Sequence, residues 1–172
     1  MSDSVGCVID DAVMYLKLRG ELRHDNAGPL EALIEHCFGV EDCVVRGAVI
    51  DLNDVSFLDS TAIGLLAAIA RELKSRNLAP PTVFSTNTEI NQLLRSLRLD
   101  QAFTLVERAT DGRQSSAVAE FAPCPDGEAD QCSAAAILRA HETLIDINEG
   151  NRAAFQPVVD LLREQIGERG AP

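Results

Sequence analysis

Hydrophobic residues in this chain fall into short alternating runs and longer stripes of helical spacing, and the two kinds take turns. Cys7 to Ile9 and Val13 to Leu18 are strand candidates, the second with Tyr15 and Lys17 alternating against Met14, Leu16 and Leu18. Leu30, Leu33, Ile34, Cys37 and Phe38 recur at the i, i+3, i+4, i+7 and i+8 positions of an amphipathic helix, with Gly39 as its stop signal. Val44 to Leu52 is largely apolar and rich in β-branched residues, which predicts a strand buried on both faces. Ala62, Leu65, Leu66, Ile69 and Leu73 mark a second helix. Past Pro80-Pro81, Thr82 to Ser85 makes another strand, and Thr86-Asn87-Thr88-Glu89 has the form of a capping box. Ile90, Leu93, Leu94 and Leu97 give a third helix, and Phe103 to Val106 a last strand. The order β-β-α-β-α-β-α-β predicts a mixed, mostly parallel β-sheet with helices packed on it.

From Glu107 to Ser133 the pattern lapses into small polar residues, Pro and Gly without a sustained period, as in a linker or loosely packed loop. Helical spacing returns with Ile137, His141, Leu144 and Ile145, and again with Phe155, Val158, Val159, Leu162 and Ile166. Gly150 and Pro157 are the expected breaks between two helices or within one kinked helix. This second stripe must be buried somewhere. It either docks back on the sheet domain or serves homodimerisation and partner choice.

A chain of 172 residues can bury roughly 70% of its unfolded surface in one compact domain and needs no metal or disulfide to do so. With 15 Lys and Arg against 27 Asp and Glu, the net charge is -12, which disfavours nucleic acid and anionic membrane surfaces as partners. No apolar run is long enough for membrane insertion, and Met1-Ser2-Asp3-Ser4 lacks the basic flank of a secretion signal, so a cytoplasmic location is expected. Cys7, Cys37, Cys43, Cys124 and Cys132 are odd in number and have no metal-like spacing; they read as buried or idle thiols rather than as a redox or metal centre. No cofactor is implied.

The densest candidate chemistry lies in VIDLNDVSFLDSTAIGLLAAIARELKSRN, residues 49–77, where a strand meets a helix at Leu58-Asp59-Ser60-Thr61. If the helix begins at Ser60 to Ala62, either Asp59 or Ser60 is its N-cap, and a carboxylate there also complements the helix dipole. The C-terminal end of a parallel strand facing a helix N-terminus is also where open α/β sheets display ligand-binding groups. No phosphate-binding loop, H-E-x-x-H or G-x-S-x-G motif is present, so the chain is not expected to be an enzyme. A Ser60 nucleophile activated by His24 or His36 is the enzymatic arrangement available; otherwise His24, His36 and His141 are surface or packing residues.

Residues 49–77 resemble the signature of STAS domains, the fold shared by bacterial anti-sigma factor antagonists and cytoplasmic domains of sulfate transporters. Asp51-Leu52, Val55, Phe57-Leu58 and Asp59-Ser60-Thr61-Ala62-Ile63-Gly64 occupy the places of an apolar strand ending Asp-Leu, an apolar residue, then Asp-Ser-Ser-Gly-Leu-Gly opening a helix. Gly20-Glu21-Leu22 is similar to the family's Gly-x-Leu. The resemblance implies a STAS-like domain over residues 5–109; outside it, the residue pattern gives a linker or loop over 110–132 and a C-terminal helical extension over 133–168. The resemblance also implies partner switching. The unmodified domain binds an anti-sigma factor or switch serine kinase through Asp59, Ser60, Thr61, Ala62, Ile63 and Gly64; the kinase phosphorylates Ser60, with Thr61 as second acceptor; a metal-dependent serine phosphatase reverses this. A phosphate at Ser60 adds about -1.5 to -2 charges beside Asp59 and close in sequence to Asp54 and Asp51, enough to repel an acidic or apolar partner surface. Ala62 stands in the place of a glycine, making that turn less permissive. The alternative implied role is a non-switching adaptor or scaffold subunit, in a stress-signalling assembly or beside an ABC transporter.

Overall fold

The computed structural model describes residues 3–108, 122–123 and 130–170. Strands β1 (Ser4–Asp10) and β2 (Val13–Leu22) form an antiparallel hairpin paired from Ser4↔Arg19 to Asp10↔Val13. Its two-residue turn places Asp11 and Ala12 at φ 49° and 64°, the backbone of a type I′ turn, which follows the strands' right-handed twist. From β2 the chain alternates: α1 (Gly28–Phe38), β3 (Gly47–Leu58), α2 (Ser60–Ser75), β4 (Thr82–Phe84), α3 (Thr88–Ser96) and β5 (Thr104–Val106). Strands β2 to β5 are parallel neighbours, and a short β6 (Ala122–Pro123) pairs antiparallel with β1. The sheet order is therefore β5-β4-β3-β2-β1-β6. The mixed, mostly parallel sheet and the alternation of elements are as the hydrophobic pattern predicts; β6 lies in the segment read as linker, where two residues carry no periodic signal. Cys124 lies outside the described residues, as does most of that linker.

The strand order advances steadily from β2 to β5, so right-handed crossovers carry α1, α2 and α3 over the same face of the sheet. Side-chain alternation agrees. Met14, Leu16, Leu18, Ile50 and Leu52 are buried toward the helices, whereas Lys17 and Arg19 point to the other face and pair with Asp54. The expectation that Val44 to Leu52 is buried on both faces is thus corrected. β3 starts later, at Gly47, with Val44 65% exposed, and runs on to Leu58. Among the described residues no helix covers its second face, to which Asp51 and Asn53 belong.

Two further expectations change. Thr86 does not cap α3. Asn87 does, its side-chain oxygen accepting from the N–H of Glu89 and Ile90, while Thr86 N–H donates to Asn53 Oδ1. Asn is the stronger cap, and its use shifts the start of the helix by one residue. Leu93, given to the buried stripe, is 36% exposed, and Asn91 takes an inward place, donating to the Ser85 carbonyl at 3.0 Å.

Beyond the linker lie α4 (Ala134–Ile147) and α5 (Arg152–Gly170), separated by a 3-10 turn at Glu149–Asn151. The break at Gly150 holds; Pro157 ends nothing and sits inside α5 on an exposed position. There it lies little more than one turn from the helix start, where few preceding carbonyls are deprived of a donor. α4 packs on α2, and α5 packs on α4 through Phe155 and Val159, so the extension docks back on the sheet domain. No described helix is long and apolar enough to cross a membrane.

The left-handed turn supplies a stability test. Ala12 carries a Cβ in a backbone region that costs a non-glycine residue about 1 kcal/mol. Ala12→Gly is expected to raise unfolding stability by up to about 1 kcal/mol in urea titration, offset in part by greater freedom of the unfolded chain.

Candidate functional site

The end of β3 delivers the site. Asp59 keeps an extended backbone (φ -85°, ψ 173°) and its carboxylate does two tasks at once. Oδ1 accepts from the N–H of Ala62 at 2.8 Å, and Oδ2 accepts from the N–H of His24 at 2.7 Å, with the His24 ring Nδ1 at 3.3 Å. The Asp59 N–H donates to the Leu22 carbonyl, and its own carbonyl accepts from Ile63. Of the two capping candidates, Asp59 is the cap. It also ties the loop after β2 to the start of α2, so this carboxylate organises two chain segments rather than standing ready for a ligand.

Ser60 is the first residue of α2 and is released from capping. Its Oγ lies 2.8 Å from Nε2 of His141, a residue of α4 that is 81 positions away in sequence. On the other side of the ring, Nδ1 is 2.7 Å from the Ile137 carbonyl, which can only accept, so Nδ1 carries a proton. In the neutral ring Nε2 is then an acceptor, and the Ser60 hydroxyl donates to it. His141 is 4% exposed and meets the Phe155 ring edge-on at 5.6 Å. Ser60 itself is half-buried.

The rest of the predicted set faces inward. Thr61, Ala62 and Ile63 are buried, and Gly64 lies against α4, where an added Cβ would meet the Ala140 carbonyl oxygen at 2.4 Å. Ala62, expected to tighten the turn, lies in the right-handed first turn of α2, where alanine is favoured and glycine is not required. Only Asp59 and Ser60 of residues 59–64 keep surface. At the rim, the Arg23 guanidinium sits 4.0 Å over the ring of Phe57, which is 38% exposed. Asp51 and Asp54 are close to Ser60 in sequence but not in space. They sit up the strand, and both pair with Lys17, at 3.6 and 3.2 Å. Asp59 is the one carboxylate of the three that adjoins Ser60.

Neither His24 nor His36 serves Ser60: the first is exposed beside Asp59, the second exposed near the end of α1. The residue that reaches the serine, His141, was missed as a site residue. Its one trace in the sequence is its place in the Ile137, Leu144, Ile145 stripe, which puts an imidazole on the buried side of a helix. The distance suits a nucleophile and base. Two grooves on the surface, one lined by Arg71, Lys74, Leu78 and Pro80 and one by Glu31, Phe38, Leu65 and Arg139, do not include Ser60. No described cluster of His, Cys, Asp or Glu is arranged to hold a metal ion.

Cys37 and Cys132 behave as packing residues. Burial, reinforced by the nearby Cys7 and Cys43, pushes the Cys37 thiol up to about 11, and burial with the Glu31 carboxylate nearby pushes Cys132 up to about 12.

An α/β domain with a serine at the strand-to-helix junction of its central parallel strands is the class defined so far. A family-wide sequence profile for the STAS domain matches residues 7–111, and the chain belongs to this family. Among solved structures it is similar to the Bacillus cell fate determinant SpoIIAA in its phosphorylated form (18% identity, TM-score 0.51, covering 68% of this chain and 99% of that one). It is also similar to an anti-sigma factor antagonist from Mycobacterium paratuberculosis (22% identity, TM-score 0.49, covering 68% and 93%). At 18% identity the likeness to SpoIIAA is one of fold. The profile stops before α4, so His141 lies beyond the matched region.

Two outcomes check the site. Asp59→Ala removes the acceptor for two backbone N–H groups and is expected to cost about 2 kcal/mol in urea unfolding. Alkylation of the folded protein at about pH 8 should label Cys43 well before Cys37 and Cys132, whose raised values keep them protonated; site-resolved mass spectrometry reads the order.

Proposed function

We infer that the chain is a bacterial signalling protein that exchanges protein partners under control of reversible phosphorylation at Ser60. The observation that carries this reading is the position of Ser60. It is a half-buried hydroxyl at N1 of α2, free of capping because Asp59 performs that task, at the carboxyl end of a central parallel strand. The positive end of the helix dipole at this position favours an anion. Thr61 is a poorer acceptor, being 3% exposed. The structurally similar SpoIIAA has a phosphorylated form, which supports the same chemistry here.

In this reading the unmodified chain binds an anti-sigma factor or a switch serine kinase, and the domain is substrate and ligand while catalysis belongs to its partners. A metal-dependent serine phosphatase restores the hydroxyl. A phosphate beside Asp59 places two like charges at the junction, and a partner docking there meets repulsion and desolvation cost. The second reading, a STAS adaptor that never switches, is favoured by one observation: the Ser60 hydroxyl is held by a buried histidine beneath α4.

Phosphopeptide mass spectrometry on protein from its native host, in growing and stressed cells, is expected to find phosphate on Ser60 with condition-dependent occupancy. Ser60→Asp should weaken capture of a partner that Ser60→Ala retains, by roughly tenfold or more. Well-covered peptides without phosphate, and equal capture by both variants, would leave the adaptor reading.

A further inference from the structure

We propose that α4 is a reversible cover over the Ser60 side of α2, with the Ser60–His141 hydrogen bond as its latch, and that negative charge at Ser60 opens it. This rests on the reading of Ser60 as the modified residue and adds to it how access to that residue is controlled.

Three contacts along one side of α2 define the covered strip. Ser60 meets His141, Gly64 meets the backbone of Ala140, and Arg71 pairs with Asp146 at 3.3 Å. Along this strip the polar contacts are few, and the ion pair is more than half exposed on both sides, while burial of Ala136, Ala140 and Leu144 holds α4 beside it. The N-terminal end of α4 is held more firmly. Cys132 N–H donates to the His24 carbonyl at 2.7 Å, and Ser133 donates through both its N–H and its hydroxyl to the Glu31 carboxylate. At the far end, the Asn151 side chain donates to the Leu97 and Leu144 carbonyls. Held at both ends, α4 can shift at its middle, around His141, without leaving the molecule.

The latch excludes the modified serine. Nε2 is 2.8 Å from Oγ, the ring is almost fully buried against Phe155, and the Ile137 carbonyl fixes the proton on Nδ1. A phosphate would put three acceptor oxygens into the space that the buried imidazole now fills. Docked α4 and modified Ser60 therefore compete. By linkage, the cover opposes modification by the same factor with which modification opposes the cover. The covered strip includes Gly64 and the Ser60 hydroxyl, so a partner reading this end of α2 meets the same barrier.

Hydrogen–deuterium exchange on the full chain tests this with Ser60→Glu, Ser60→Ala and Ala140→Glu. Amides of residues 134–147 in Ser60→Glu are expected to exchange about tenfold faster than in the unaltered chain, with residues 65–73 of α2 unchanged, and Ser60→Ala to stay within about threefold. Ala140→Glu, which alters α4 alone, should free the same segment and spare α2. Protection of 134–147 that is equal or higher in Ser60→Glu overturns the proposal, the latter because His141 would then clamp the charge. Joint loss across α2 and α4 in both glutamate variants also overturns it, because the two helices would then be one unfolding unit. No kinase enters the measurement, so absence of phosphate in cells would refute the switch reading without touching this result.

Discussion

Helix α2 is apolar on too many sides to be the outer layer of this fold. Thr61 to Ala67, Ile69, Ala70 and Leu73 are buried, which leaves little of the helix for water. A helix with so wide an apolar surface requires cover on both sides. The sheet supplies one side through Ile50 and Leu52; α4 supplies the other with Ala136, Ala140 and Leu144. Close approach at that second surface depends on Gly64, where any side chain would strike the α4 backbone. The docking of the extension, the burial of His141 and the fate of the Ser60 hydroxyl all follow from this one need.

The same constraint explains why two neighbouring residues do different work. Asp59 is extended and bonds both forward to Ala62 and sideways to His24, joining the β2–α1 loop to α2. Ser60, one residue on, turns with the helix and presents its hydroxyl to α4. The junction is thus rigid at the carboxylate and closed at the hydroxyl. Charge added at the hydroxyl disturbs the covering helix before it disturbs the domain, since the cap does not involve Oγ.

Much of the fold was legible because its elements are periodic. Met14, Leu16 and Leu18 alternate and the α1 and α2 stripes repeat at helical spacing, so the order of elements follows from local pattern. What was not legible depends on tertiary placement. That α1, α2 and α3 all lie on one face of β3 is a consequence of three crossovers advancing in one direction, which no window of residues contains. The α3 cap went to Asn87 because two adjacent residues could both serve, and only the path of the chain decides. At the site, Asp59 and Ser60 were visible as a pair, but not their division of labour. His141 carried no local sign beyond a polar residue in an apolar stripe, since its partner lies across the helix interface.

The central claim is that a histidine of the C-terminal extension closes the Ser60 end of the STAS domain. The most direct test is the ¹⁵N spectrum of the histidine rings, recorded above the ordinary histidine range at about pH 9. The account predicts His141 in the Nδ1-protonated tautomer, with an Nε2 shift that moves on Ser60→Ala while His24 and His36 are unaffected. A His141 ring in the Nε2-protonated tautomer, indifferent to Ser60→Ala, would contradict it.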